Sequence, residues 1–166
     1  DSWDTIKIPP TNYYRNLMYF FNQNNFFIVD KSSLIKTTNG GINWSINSNN
    51  LPDSSLKSLF FVNENIGWIS GSKGKIYKTT DGGLNWQKQN VCKNTAEVQY
   101  FKFFDENTGY IFSGNTSGLF KTTDGGNHWE MQTSEPFFDD EIKSISISDE
   151  EVVIGVGKWG IIKRTR

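Results

Sequence analysis

The chain has 166 residues, with 17 Lys and Arg against 18 Asp and Glu and a formal net charge of −1. That is one domain's worth of chain, long enough to bury a sizeable core, and its dispersed lysines exclude the basic field that captures DNA, RNA or an anionic membrane. Aromatics are abundant at 13 Phe, 6 Trp and 6 Tyr, the single Cys92 leaves no intramolecular disulfide, and no apolar run reaches the ~18 residues of a membrane span.

From the N-terminus, residues 2–8, which begin Ser2-Trp3-Asp4, read as a strand that Pro9-Pro10 ends, because proline cannot donate to a ladder. Residues 17–21 and 26–29 read as two strands around the turn Asn22-Gln23-Asn24-Asn25, followed by strands at 34–38 and 44–47. A second unit runs 56–62, 66–70, 75–80 and 86–89, and a third runs 98–104, 109–113, 119–123 and 129–132. Residues 90–97 link them and hold Cys92, which reads as a small buried hydrophobe or an inert surface thiol. After the linker Ser134-Glu135-Pro136-Phe137-Phe138-Asp139-Asp140, a last unit offers strands at 142–147, 152–156 and 160–164.

One stretch recurs in this order. Lys36-Thr37-Thr38-Asn39-Gly40-Gly41-Ile42-Asn43-Trp44 returns as Lys78-Thr79-Thr80-Asp81-Gly82-Gly83-Leu84-Asn85-Trp86 and as Lys121-Thr122-Thr123-Asp124-Gly125-Gly126-Asn127-His128-Trp129. The tryptophans are 42 and 43 residues apart, and Trp3 lies 41 before Trp44. A period near forty marks a supersecondary unit repeated to build an array. The β-branched Thr favours extended backbone. Asp81 and Asp124 can accept backbone N–H groups two residues on, Asn39 can do the same, and the glycines can take positive φ. The Trp then opens the next strand, where its ring can cover the turn and the neighbouring unit.

The pattern T-x-[DN]-G-G-x-x-W resembles the Asp-box, or bacterial neuraminidase repeat. The longer run Phe60-Phe61-Val62-Asn63-Glu64-Asn65-Ile66-Gly67-Trp68, followed by Gly74-Lys75-Ile76-Tyr77-Lys78, resembles the β-propeller family named after photosystem II stability and assembly factors. The third unit repeats it as Phe103-Phe104-Asp105-Glu106-Asn107-Thr108-Gly109-Tyr110. The resemblance implies an all-β propeller of four-stranded antiparallel blades in a single domain spanning 1–166, with units at 11–49, 50–90, 91–133, and 134–166 plus 1–10. Three complete units and one split unit make four blades, the N-terminal strand closing the last one and removing the open edge. Family members usually have more blades, so two alternatives stay open: a fragment of a longer propeller, or two chains pairing into a larger ring by exchanging the N-terminal strand. The structural Asp-box residues are Asn39, Gly41, Trp44, Asp81, Gly83, Trp86, Asp124, Gly126 and Trp129, with Trp3 as the orphan fourth anchor.

Catalysis finds little support in the residues. A sialidase clamps its substrate carboxylate with three arginines, and this chain has only Arg15, Arg164 and Arg166, two of them in its last three residues. His128 is the only histidine and sits in a turn motif; one His and one Cys cannot make a zinc site without carboxylates filling most of it. The acidic clusters 139–141 and 149–151 lack an EF-type spacing. Neither G-x-S-x-G nor a phosphate loop is present. The expectation is therefore a non-catalytic interaction or scaffold module without metal or cofactor, its partner a protein; a carbohydrate-binding or sialidase-like glycan-active protein is the alternative. Nucleic acid is not expected as a partner. The photosystem itself is not implied, because the arginine-rich patch associated with photosynthetic members is missing. Trp159, Phe137 and Phe138 are the candidate binding residues, since the repeat does not require them. The start at Asp1 without Met suggests a processed or trimmed product, and the resemblance implies export to a periplasmic, extracellular or lipid-anchored location.

Overall fold

The computed structural model of the protein describes residues 5–10, 17–30, 33–48, 51, 53, 55–89, 97–113, 118–132, 142–148, 153–157 and 162–164. Within these the chain forms antiparallel meanders, each strand pairing with the next in sequence. The first sheet contains β1 (Leu17–Phe20), β2 (Phe26–Val29), β3 (Ser33–Thr37) and β4 (Ser45–Ser48). The second contains β5 (Ser58–Phe61), β6 (Gly67–Ser70), β7 (Ile76–Thr79) and β8 (Gln87–Gln89), and the third β9 (Val98–Phe103), β10 (Gly109–Ser113), β11 (Gly118–Thr122) and β12 (Glu130–Met131). A last sheet has three strands, β13 (Ile142–Ile147), β14 (Val153–Gly157) and β15 (Ile162–Arg164). These are the blades of a β-propeller, as the repeat predicts.

Each second strand is buried along its whole length, and its side chains alternate between the two faces of a blade. That is why these strands read as continuous apolar runs rather than alternating ones. The cores lie between blades. Phe27 and Val29 of the first sheet pack with Phe61, Ile69 and Tyr77 of the second, and Trp68 and Ile76 of the second pack with Phe101, Phe103 and Ile111 of the third. Tyr110, Phe112 and Leu119 gather around Ile147 of the fourth. The first strands β1 and β5, and β5 and β9, touch across these junctions, which places them nearest the hub. Burying a side chain such as Phe27 or Phe61 contributes roughly 1.5–3 kcal/mol each, so the junctions dominate the stability of the array.

The fourth strands are short and polar, as expected for an outer, hydrated position: Gln87 and Lys88 of β8 and both residues of β12 are exposed. The N-terminal strand differs from expectation. Residues 5–10 belong to no strand, and 1–4, with Trp3, lie outside the described residues. Pro9-Pro10 gives the local reason, since neither residue has an N–H to give a ladder. The segment nevertheless holds a repeat-like place. Ile6, three residues after Trp3, lies against Gly41; Asn47, three after Trp44, donates from Nδ2 to the Gly83 carbonyl at 3.1 Å.

Candidate functional site

The Asp-box turns are the most regular polar constellations of the molecule. The Gly41, Gly83 and Gly126 N–H groups donate to the hydroxyls of Thr37, Thr79 and Thr122 at 2.8, 2.8 and 2.9 Å. Each hydroxyl donates in turn to Oδ1 of Asn39, Asp81 or Asp124 at 3.1, 2.8 and 2.9 Å. That oxygen accepts the N–H of Asn43, Asn85 or His128 at 2.8, 2.9 and 2.9 Å. The partner N–H is thus four residues on, not two, and the Thr hydroxyl is a partner in its own right. The second glycines sit at φ of +89°, +87° and +94°, which an L side chain rarely adopts, with the ring of Trp44, Trp86 or Trp129 against them.

Two further contacts hold each turn. Gly40, Gly82 and Gly125 N–H groups donate to the carbonyls of Asn24, Asn65 and Asn107 at 2.9, 2.8 and 2.8 Å, pinning the box to the first hairpin turn of the same blade. Those hairpin turns are built alike: Asn22, Asn63 and Asp105 each accept two N–H groups, two and three residues on. The recurrence of Asn or Asp at this position was the available signal for that role. Trp68 completes one junction, stacked on Phe103 at 3.5 Å and donating from Nε1 to the Gly125 carbonyl at 3.0 Å.

Charges at this end are engaged in structure. Burial pushes the Asp124 carboxyl up, but the His128 backbone N–H and ring and the Thr122 hydroxyl outweigh it and hold the group at about 2. His128 Nδ1 lies 2.6 Å from Asp124 Oδ2, on an exposed side chain at the turn. Asp81 is likewise lowered, burial being outweighed by its bonds from Asn85 and Thr79. Lys36, Lys78 and Lys121 lie over the rings of Phe27, Trp68 and Tyr110 at 5.2, 5.0 and 5.5 Å, a cation–π contact repeated blade by blade. Burial lowers the Lys78 ammonium despite the pull of Glu106 and Asp124. On the linker, Asp53 Oδ2 accepts from Ser72 and Lys75 at 3.0 Å, tying residue 53 to the turn before β7.

The structure brings together the box residues of three blades as turn supports. Phe137, Phe138 and Trp159, like Arg15 and Arg166, lie outside the described residues, and of Arg164 only the backbone is described. Among the described residues no group of three or more His, Cys, Asp or Glu side chains is placed to hold a metal ion. No Trp or Tyr among them is exposed; the exposed large apolar side chains are Ile6, Met18, Phe20, Ile42, Ile46, Leu84 and Met131. No described helix is long and apolar enough to cross a membrane.

Comparison with known proteins agrees with this architecture. A structure of YCF48 bound to a D1 peptide superposes with a TM-score of 0.69 at 22% identity, covering 89% of this chain and 50% of that one. YCF48 from Cyanidioschyzon merolae gives 0.68 at 12% identity, over 91% and 50%. A GH74 enzyme of Niastella koreensis gives 0.63 at 18% identity, over 86% and 27%. The chain therefore spans about half the length of the YCF48 structures, and at these identities the likeness is one of fold. No curated protein matches the sequence significantly. The sequence model described as photosynthesis system II assembly factor YCF48 matches residues 1–95 of the 166, more than half of the chain. With its box turns and four-stranded blades, the chain belongs to the YCF48 assembly-factor family.

Proposed function

We propose that this chain is a non-catalytic propeller module that binds a polypeptide segment, as an assembly-factor-like protein. The observation that carries the reading is the use made of its chemically capable groups. Thr79, Asp81, Thr122, Asp124 and His128 are consumed by one another and by backbone N–H groups. Family membership supports the same reading, and one structural neighbour is a YCF48 bound to a peptide. A rigid scaffold with non-repeated loops suits recognition, and Trp159, Phe137 and Phe138 remain the proposed contacts. Export from the cytoplasm is the location that family membership favours.

The test is a tiled peptide array probed with the folded chain and with the Phe137→Ser/Trp159→Ala variant, beside turnover assays on sialosides and xyloglucan oligosaccharides. Saturable capture of a peptide subset, weakened at least tenfold in the variant, is expected. Turnover would overturn the reading, and unchanged capture by the folded variant would remove these residues as its site.

A further inference from the structure

Phe20, Phe61, Phe103 and Ile147 are equivalent positions, each the last residue of a first strand and paired with the first residue of the second. Three of them are covered by the preceding blade. Phe61 packs on Tyr19 and Phe27 at 5.7 and 4.9 Å, Phe103 on Trp68 and Phe60 at 3.5 and 6.2 Å, and Ile147 joins Tyr110, Phe112 and Leu119. Their exposures are 1%, 3% and 5%, whereas Phe20 is 52% exposed. Two residues earlier Met18 is 59% exposed, where Phe101 of the third blade is 3%. Blade 1 thus presents a junction face that the chain's own last sheet leaves open.

The other end of the array carries the matching face. In the first three blades that face is marked by Tyr19, Phe60 and Lys102, paired with Phe27, Trp68 and Tyr110. In the last sheet the same position is Ser146, paired with Ile154, and it is exposed. That sheet has three strands, β15 at its edge. Residues 5–10, meanwhile, hold a fourth-strand place beside blade 1: Ile6 lies against Gly41, and Trp44 Nε1 donates to the Lys7 carbonyl at 3.1 Å.

We propose that a second copy of this chain covers blade 1. The last sheet of each copy seats its Ser146 face on Met18 and Phe20 of the other, and the N-terminal segment of each lies beside the other's three-stranded sheet. The occupant is chosen by continuity, since the surface missing from blade 1 is the one that every other junction supplies from this same repeat. Length agrees, because two copies together match the YCF48 chains of which this one covers 50%. The contact joins unlike surfaces, and two such contacts related by a twofold rotation close into a ring without an open end.

Light scattering on the chain at micromolar concentration should give twice the mass of the monomer. Met18→Asp/Phe20→Asp should restore the monomer mass with the β-sheet circular dichroism retained. A second experiment does not depend on that variant. Phe20→Cys and Ser146→Cys are made separately in a Cys92→Ser background, mixed, and treated with a short bis-maleimide. A covalent heterodimer is expected. A folded monomer at every concentration tested overturns the proposal, as does a bridge formed only within one chain when both cysteines are placed together.

Discussion

Thr37, Thr79 and Thr122 hold their turns from inside. Each hydroxyl accepts one glycine N–H and donates to the Asn or Asp two residues on. Thr79→Val keeps the shape and the strand preference but leaves the buried Gly83 N–H without its acceptor, so urea denaturation should show a loss of about 1–3 kcal/mol. Thr79→Ser should lose much less. This role was hidden in the sequence because a Thr before a turn also reads as a strand former; composition does not separate the two. The carboxylate of Asp124 offers a second check. Its folded value of about 2 lies below the 3.8 of an ordinary aspartate, so its contribution is fully present above pH ~4 and is lost as pH falls through about 2. Acid unfolding followed by fluorescence should therefore begin at higher pH in His128→Ala, which removes the ring partner at 2.6 Å. An unchanged acid transition would mean that the pair contributes nothing.

At the scale of the element, the box tryptophans are alike in sequence and unlike in burial. Trp129 is 5% exposed and sits edge-on to Phe103 at 5.9 Å, while Trp44 and Trp86 are only partly buried. Trp129→Ala should cost about 3–5 kcal/mol in chemical denaturation, as a buried aromatic truncation does, and Trp44→Ala distinctly less. Strand positions were legible from the period and from the Thr-rich approach to each turn, with most ends displaced by one or two residues. The box Trp, for example, was placed inside the fourth strand and instead precedes it, at Ser45, Gln87 and Glu130. Its ring is held against the second glycine, so the ladder starts one residue later. Trp68 carried no such signal. Its neighbours mark it only as part of an apolar run, and its stacking on Phe103 depends on how two blades meet.

For the molecule as a whole, the repeat made the propeller legible, while the closure of the ring was not. Whether Phe20 is covered depends on what stands beside blade 1, and no local pattern distinguishes it from Phe61 or Phe103. Function is legible to the same limited degree. The repeat accounts for the boxes and leaves Phe137, Phe138 and Trp159 as residues that it does not need. Deleting residues 1–10 should strip Ile6 from Gly41 and Lys7 from Trp44, and lower the thermal midpoint by several degrees; an unchanged melt would deny the segment its structural place. The central claim is that the chain binds a polypeptide and performs no turnover. Titration calorimetry tests it in one measurement, because binding heat ends at saturation whereas catalytic heat persists until substrate is consumed. Array-selected peptide injected into the protein should give a saturable exchange of heat, and xyloglucan oligosaccharides or sialosides no sustained signal. Sustained heat from a glycoside, with none from any peptide, would contradict the account.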